Sequence, residues 1–287
     1  MPFRRSGWWL LVVAIAAAES LAAQTITLPL RKNSVRFAAI GDVGTGDKAE
    51  YDLASIVIKS QAKSRFSFVI LLGDNIYGSE RPQDFERKFT TPYKPLLDAK
   101  IEFRAALGNH DDPNQRFFKP FGMGGERYYS FQKGNVKFYV IDSNYLDPDQ
   151  VKWLDKELAT KGNIWKIAYF HHPLYTTASR GPAVELRKVL EPLFVKYGVN
   201  VVFTGHEHMY ERIKPQRGVY YFVAGGGAKL NPRNARTGGI NEKLFDTDRS
   251  FMLVEVSGDL LYYQTISRTG ATIDKGTIRR GRPPALP

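Results

Sequence analysis

The chain of 287 residues contains no cysteine. That excludes disulfides, thiolate metal sites and a lipidated N-terminal cysteine together. Any metal must be bound through oxygen and nitrogen. Histidine is scarce, with five in the whole chain. No apolar run after residue 23 is long enough to span a bilayer. There is no internal repeat and no linker that would divide the chain. The basic residues are scattered, apart from Arg279, Arg280 and Arg282 near the end, and no nucleic-acid-binding motif is present.

What is present begins with an N-terminal pattern. Arg4 and Arg5 precede an apolar run from Trp8 to Ala18, and small residues follow at Ser20, Ala22 and Ala23. Basic, apolar, then small is the order of a secretory signal, with cleavage expected after Ala22 or Ala23. The same run read as an uncleaved anchor would be short. A twin-arginine signal fits its surroundings poorly. Residues 1–23 are therefore expected to be a signal peptide, residues 24–287 the mature domain, and the protein periplasmic or secreted. Net charge is +12, and losing Arg4, Arg5 and Glu19 would leave +11. Such a protein attracts anions, including phosphate esters, acidic polymers and lipid headgroups.

Short apolar runs alternate with helical patterns first, and hairpin patterns dominate later. An extended lead-in at 24–34 is followed by strands at 35–40, 68–72 and 101–107. Helices are expected at 52–59 and at 83–97, the latter interrupted by Pro92 and Pro95. A hairpin around Lys133-Gly134-Asn135 precedes a helix opened by Asp147-Pro148-Asp149. Strands at 164–170 and 199–203 flank a helix at 182–197. Strands at 219–224, 251–267 and 272–278 follow, and 279–287 reads as a disordered end. This order predicts an α/β fold, a four-layer α/β/β/α sandwich of two mixed sheets with helices outside and a core at 35–278.

Five of the strands end in motifs rich in possible ligands. They are Gly41-Asp42-Val43-Gly44, Gly73-Asp74-Asn75-Ile76-Tyr77, Gly108-Asn109-His110-Asp111, His171-His172-Pro173 and Gly205-His206-Glu207-His208. Each alone is weak, since a Gly-Asp pair is often only a turn. Together they hold every histidine in the chain, which coincidence explains badly. Strand ends are also where open α/β sheets gather their ligands.

These motifs resemble the calcineurin-like metallophosphoesterase superfamily. Within it, GDNIY at 73–77 and GHEHMYER at 205–212 are similar to the purple acid phosphatases. The resemblance covers about residues 35–225. It implies a bimetal site at the strand ends. Asp42, Asp74, Tyr77 and His208 would hold one metal, and Asp74, Asn109, His171 and His206 the other, with Asp74 bridging. It implies Fe(III) paired with Fe(II), Zn(II) or Mn(II), the Tyr77 phenolate giving a charge-transfer colour. Phosphate monoesters would be hydrolysed by attack of metal-bound hydroxide. His110 would bind the phosphoryl group or protonate the leaving alkoxide, and Asp111 would orient His110 or make a local turn bond.

Two departures from the family pattern stand out. His172 occupies the place of a tyrosine and reads as a packing residue beside the ligands. Arg180, before Gly181-Pro182, stands where a substrate-side histidine is usual. It is either a phosphate clamp or a solvated loop arginine. Glu207 is expected to face away from its neighbours. Tyr210-Glu211-Arg212 is expected to pack beneath the site or line its rim, and Gly225–Gly227 to approach the site or simply turn. Two other functions remain open: a phosphodiesterase or phospholipid hydrolase on the same fold, and a non-catalytic surface protein that binds anionic polymers.

Overall fold

A computed structural model of the chain describes residues 25–281 except 163 and 237. The expected signal segment therefore lies outside the described residues. Two mixed sheets make up the fold. The first runs β13-β12-β11-β1-β2-β3 and the second β10-β8-β9-β7-β6-β5-β4. In the first, β1 (Val35–Ile40), β2 (Phe68–Leu72) and β3 (Glu102–Ala106) are parallel. β11 (Ser250–Ser257), β12 (Leu260–Ser267) and β13 (Thr272–Arg279) extend that sheet antiparallel from the far edge of β1. In the second, β5 (Val136–Val140), β6 (Trp165–Tyr169), β7 (Val201–Thr204) and β9 (Val219–Ala224) are parallel. β4 (Tyr129–Lys133) closes one edge of it, and β8 (Tyr210–Gln216) with β10 (Asn241–Phe245) closes the other.

Alternation along the strands explains the layers. Phe37 and Ala39 of β1 point between the sheets, where Phe37 meets Phe68, Phe138 and Phe203. Ala38 and Ile40 point the other way. They pack with Leu53 and Val57 of α1 (Lys48–Ser64) and with Tyr93 and Leu96 of α3 (Thr91–Asp98). The second sheet sends Tyr139 and Ala168 outward onto Leu154 of α4 (Pro148–Leu158) and Phe194 of α5 (Val184–Tyr197). The four expected layers are present.

Several boundaries differ from expectation. Helix α1 runs from 48 to 64, because Asp47 accepts from the Glu50 N–H and so starts the helix earlier. The helix at 83–97 is not broken at its prolines. It runs from α2 (Pro82–Phe85) through a π-helical turn (Glu86–Thr90) into α3. Thr91 N–H reaches back to Glu86 O, a five-residue bond that makes room for Pro92, which has no N–H to give. β13 includes Arg279, and Arg280 just past it pairs with Asp259 in the turn between β11 and β12, so the start of the expected disordered end is tied to the fold. Residues 282–287 lie outside the described residues. The lead-in is tied down by Glu255, which accepts from the Leu30 and Arg31 N–H groups at 2.7 and 2.5 Å.

Candidate metal centre

The carboxyl ends of β1, β2 and β3 in one sheet meet those of β6 and β7 in the other. Three ligand candidates share one local device. Asp42, Asp74 and His206 each follow a glycine at a strand end, and each has a left-handed backbone, with φ of 56, 52 and 69°. Non-glycine residues rarely adopt it, and such strain concentrates at functional sites. It turns the chain sharply enough to aim the side chain back across the sheet ends.

The neighbouring glycines are there for space. A Cβ on Gly108 would stand 2.1 Å from the Asp74 nitrogen, and one on Gly205 would stand 2.6 Å from Asp42 Oδ2. Gly225–Gly227 approaches just as closely. Gly227 N–H donates to Gly41 O at 3.1 Å and Ala228 N–H to Asp42 O at 2.8 Å. The glycine run is therefore part of the floor beneath Asp42.

The side chains form two overlapping clusters. In the first, the Tyr77 hydroxyl lies 3.0 Å from Asp42 Oδ1, 2.9 Å from Asp74 Oδ2 and 3.3 Å from His208 Nε2. His208 Nε2 is 3.4 Å from Asp42 Oδ1. In the second, Asn109 Oδ1 lies 3.1 Å from His171 Nε2 and 2.9 Å from His206 Nδ1, and the two ring nitrogens are 3.2 Å apart. His171 Nε2 is also 3.3 Å from Asp74 Oδ1. Asp74 thus gives one oxygen to each cluster.

Electrostatics follow from this crowding. Burial alone would depress His171, but the Asp74 and Asp42 carboxylates outweigh it and lift its pKa to about 9. Burial also works to raise Asp74, yet hydrogen bonds and charge from His171 hold it well below the usual carboxylate range. His206 is pushed down to about 3 by burial and by the other two imidazoles. Burial and the two aspartates drive the Tyr77 phenol far above its ordinary value.

The donor set fits cations. Leu72 O accepts from His171 Nδ1 at 2.9 Å, so Nδ1 carries hydrogen, and a cation that displaced the second ring proton would meet the Nε2 lone pair aimed into the cluster. Nε2, Asn109 Oδ1 and His206 Nδ1 converge on one point, as the donors of a single cation would. A mixed carboxylate, amide, phenol and imidazole set suits iron, manganese or zinc.

The remaining candidates sit around this core. His110 is exposed, its ring 5.1 Å from the Tyr77 ring, and its N–H donates to Asp74 Oδ1 at 2.9 Å. Arg180 Nη1 donates to His206 O at 2.6 Å, which puts the guanidinium at the rim and not loose in solvent. Asp111 makes no described bond to His110. Its oxygens take the N–H groups of Asn75, Ile76 and Gly108, and it locks the β2 and β3 loops together. Of its two expected roles these contacts match the local turn bond and not the orienting of His110, since its oxygens also accept from Asn75 Nδ2 and Gln115 Nε2.

His172 Nδ1 lies 2.9 Å from the Ser143 hydroxyl, and its ring centre is 4.6 Å from that of His206, tilted by 48°. Glu207 joins neither cluster; its carboxyl reaches Asn234 Nδ2 at 3.4 Å. Tyr210 and Arg212 bond Asp274 of the opposite sheet, while Glu211 accepts from Thr176 and Thr177.

Two supporting lysines were not singled out from the sequence. Buried Lys88 donates to Tyr77 O, and Lys229 lies 4.6 Å from the centre of the Tyr77 ring. A lysine in a polar helix and another after a glycine run carry no local signal of such contacts.

Fold and site together define a class: a two-sheet α/β sandwich whose strand ends converge on a double cluster of oxygen and nitrogen donors. The chain belongs to the calcineurin-like phosphoesterase family, whose model matches residues 35–210. It is 24% identical to the human (Homo sapiens) tartrate-resistant acid phosphatase type 5, over 87% of this chain and 93% of that protein. Its fold is similar to a purple acid phosphatase from yellow lupin (Lupinus luteus) seeds, with a TM-score of 0.70 and 20% identity, covering 88% of this chain and 55% of that one. It is similar as well to GAP50, the anchor in the inner membrane complex of Plasmodium, with a TM-score of 0.77 and 19% identity over 89% and 92% of the two chains.

Proposed function

We propose that this metal-dependent phosphatase is an exported acid phosphatase that hydrolyses phosphate monoesters at a pair of cations. The observation that carries the reading is Asp74, one carboxylate with an oxygen in each donor cluster. Asp42, Asp74, Tyr77 and His208 would hold one cation, and Asp74, Asn109, His171 and His206 the other. Tyr77 favours Fe(III) in the first position, since a phenolate is a hard anionic oxygen donor that suits a hard trivalent ion. Fe(II), Zn(II) or Mn(II) suits the second. When bound, the pair supplies Lewis acidity, which neutralises phosphate charge and acidifies water.

The chain's own groups orient the ester and move the proton. His110 has its backbone pinned by Asp74 and its ring open to solvent, so it can deliver a proton to the leaving oxygen. Arg180 keeps guanidinium N–H groups beyond the one spent on His206 O, and these would be available to a phosphoryl oxygen. Asp111 holds the loops of Asn75 and Gly108 and so positions Asp74 and Asn109. Export rests on the basic, apolar, small order at the N-terminus, and sequencing the mature end tests it: a start at Ala23 or Gln24 is expected.

Metal analysis with a visible spectrum, followed by rates on a monoester and a diester, tests the function. Two metals per chain, a visible band and a monoester preference are expected. A strong preference for a bis-aryl phosphate would move the protein to the phosphodiesterases. Two metals with neither ester cleaved would make it an anion-binding surface protein.

A further inference from the structure

A groove of about 480 Å³ opens beside the second donor cluster. Its lining includes Asn109 of that cluster and His172 beside it, apolar surface from Leu107 and Pro113, and the Tyr145 ring. Tyr145 is 66% exposed, among the most exposed large apolar side chains described. An exposed aromatic ring lining a cleft invites a stacking partner.

The ring is held in place from below. The Arg127 guanidinium lies 5.4 Å from the Tyr145 ring centre. Arg127 is itself fixed by Asp142 at 2.9 Å and Asp147 at 2.7 Å. Asp147 is also the cap of α4, and Gln150 accepts and donates around the Asp142 backbone, so this support is rigid. The charge balance matters as much. Among the described residues Arg127 is the single Lys or Arg in the lining, and the Asp142 and Asp147 carboxylates already pair with it. The groove offers no spare cation to a second phosphate. It offers apolar surface, a π face and local negative charge.

We propose that this groove is the leaving-group subsite, that it takes esters whose alcohol carries an uncharged or cationic aromatic ring, and that Tyr145 determines this preference by stacking on that ring. The proposal rests on the phosphomonoesterase reading only for the position of the phosphoryl group. Asn109 belongs both to the donor cluster and to the groove, so the groove is open to the alcohol of an ester whose phosphoryl group sits at that cluster.

The test compares 2-phenylethyl phosphate with hexyl phosphate, whose leaving alcohols have similar acidity, on the metal-loaded protein. Tyr145→Ala is expected to raise KM for the phenylethyl ester about tenfold, leaving kcat and both constants for the hexyl ester within twofold. Tyr145→Phe should keep the wild-type values. Calorimetry with 2-phenylethylphosphonate gives a readout without turnover, and Tyr145→Ala should weaken it about tenfold while inorganic phosphate binding stays unchanged. Equal effects on both esters, or none, overturn the proposal even while hydrolysis persists. If neither ester is cleaved but the phosphonate still binds through Tyr145, the phosphatase reading fails and the subsite stands.

Discussion

The ammonium of Lys88 donates to the carbonyl of Tyr77 at 2.5 Å and to that of Ser79 at 2.6 Å. Lys88 sits on the π-helical turn, so the extra residue in that turn aims it at the loop after β2. Lys88→Met should leave both carbonyls without their donor and cost about 1–3 kcal/mol in denaturant unfolding. The visible band of the iron-loaded protein should shift as Tyr77 loses its anchor. An unmoved band would separate Lys88 from the site.

Asp74→Ala is expected to remove both metals, because each donor cluster loses an oxygen, whereas His208→Ala should lower the content by about one. Elemental analysis of the purified variants checks this. Full metal content in Asp74→Ala would end its bridging role. Tyr77→Phe should keep the protein folded and abolish the visible band.

His110→Ala should keep both metals and lose roughly 10²–10³ in kcat for an alkyl monoester. The loss should shrink for a nitrophenyl ester, whose leaving group needs no proton. Equal losses on both esters would remove His110 from proton transfer.

Gly108→Ala tests the close approach beneath Asp74. The new methyl would meet backbone at 2.1 Å, so the loop must move. A stability loss of about 3 kcal/mol, with weakened metal binding, is expected from overpacking of this kind. Retention of stability and metals would show that the floor is softer than its geometry implies.

Glu50 predicts a pH dependence from a carboxyl outside the two donor clusters, which accepts from the Gly44 N–H. Burial lifts its carboxyl from 4.5 to about 7, against the lowering effect of the Gly46 and Gly44 N–H groups. The folded state therefore binds this proton more tightly than the unfolded state. The advantage is full below pH 4.5 and fades as pH rises through about 7, to a total of about 3 kcal/mol. Stability measured relative to Glu50→Gln should fall across that window. A flat difference from pH 4 to pH 8 would refute the assignment.

Much of this was legible in the sequence because glycine-ligand pairs at strand ends are local signals. Asp42, Asp74 and His206 each announce themselves by a preceding glycine and an apolar run. β8 and β10 were not legible as strands, since Tyr210–Gln216 carries Glu211, Arg212 and Lys214, and their partners Thr177, Asp274 and Gly239 lie far off in sequence. Arg127, Asp142 and Tyr145 were hidden for the same reason. Their meaning arises from one another's positions across a loop and a sheet edge. Asp111 kept two readings in the sequence, and its bond to the Gly108 N–H matches the local turn bond of the two.

The chain leaves the first sheet after β3, builds the whole second sheet, and returns as β11 to pair with β1. The donor clusters sit where the two sheets meet, with Asp42, Asp74 and Asn109 from one and His171, His206 and His208 from the other. In a chain without cysteine, a cation pair held there is a cross-link, closing a long loop as a disulfide would. Chelation should therefore loosen one half of the molecule from the other, and melting temperature should follow metal content before any substrate is added.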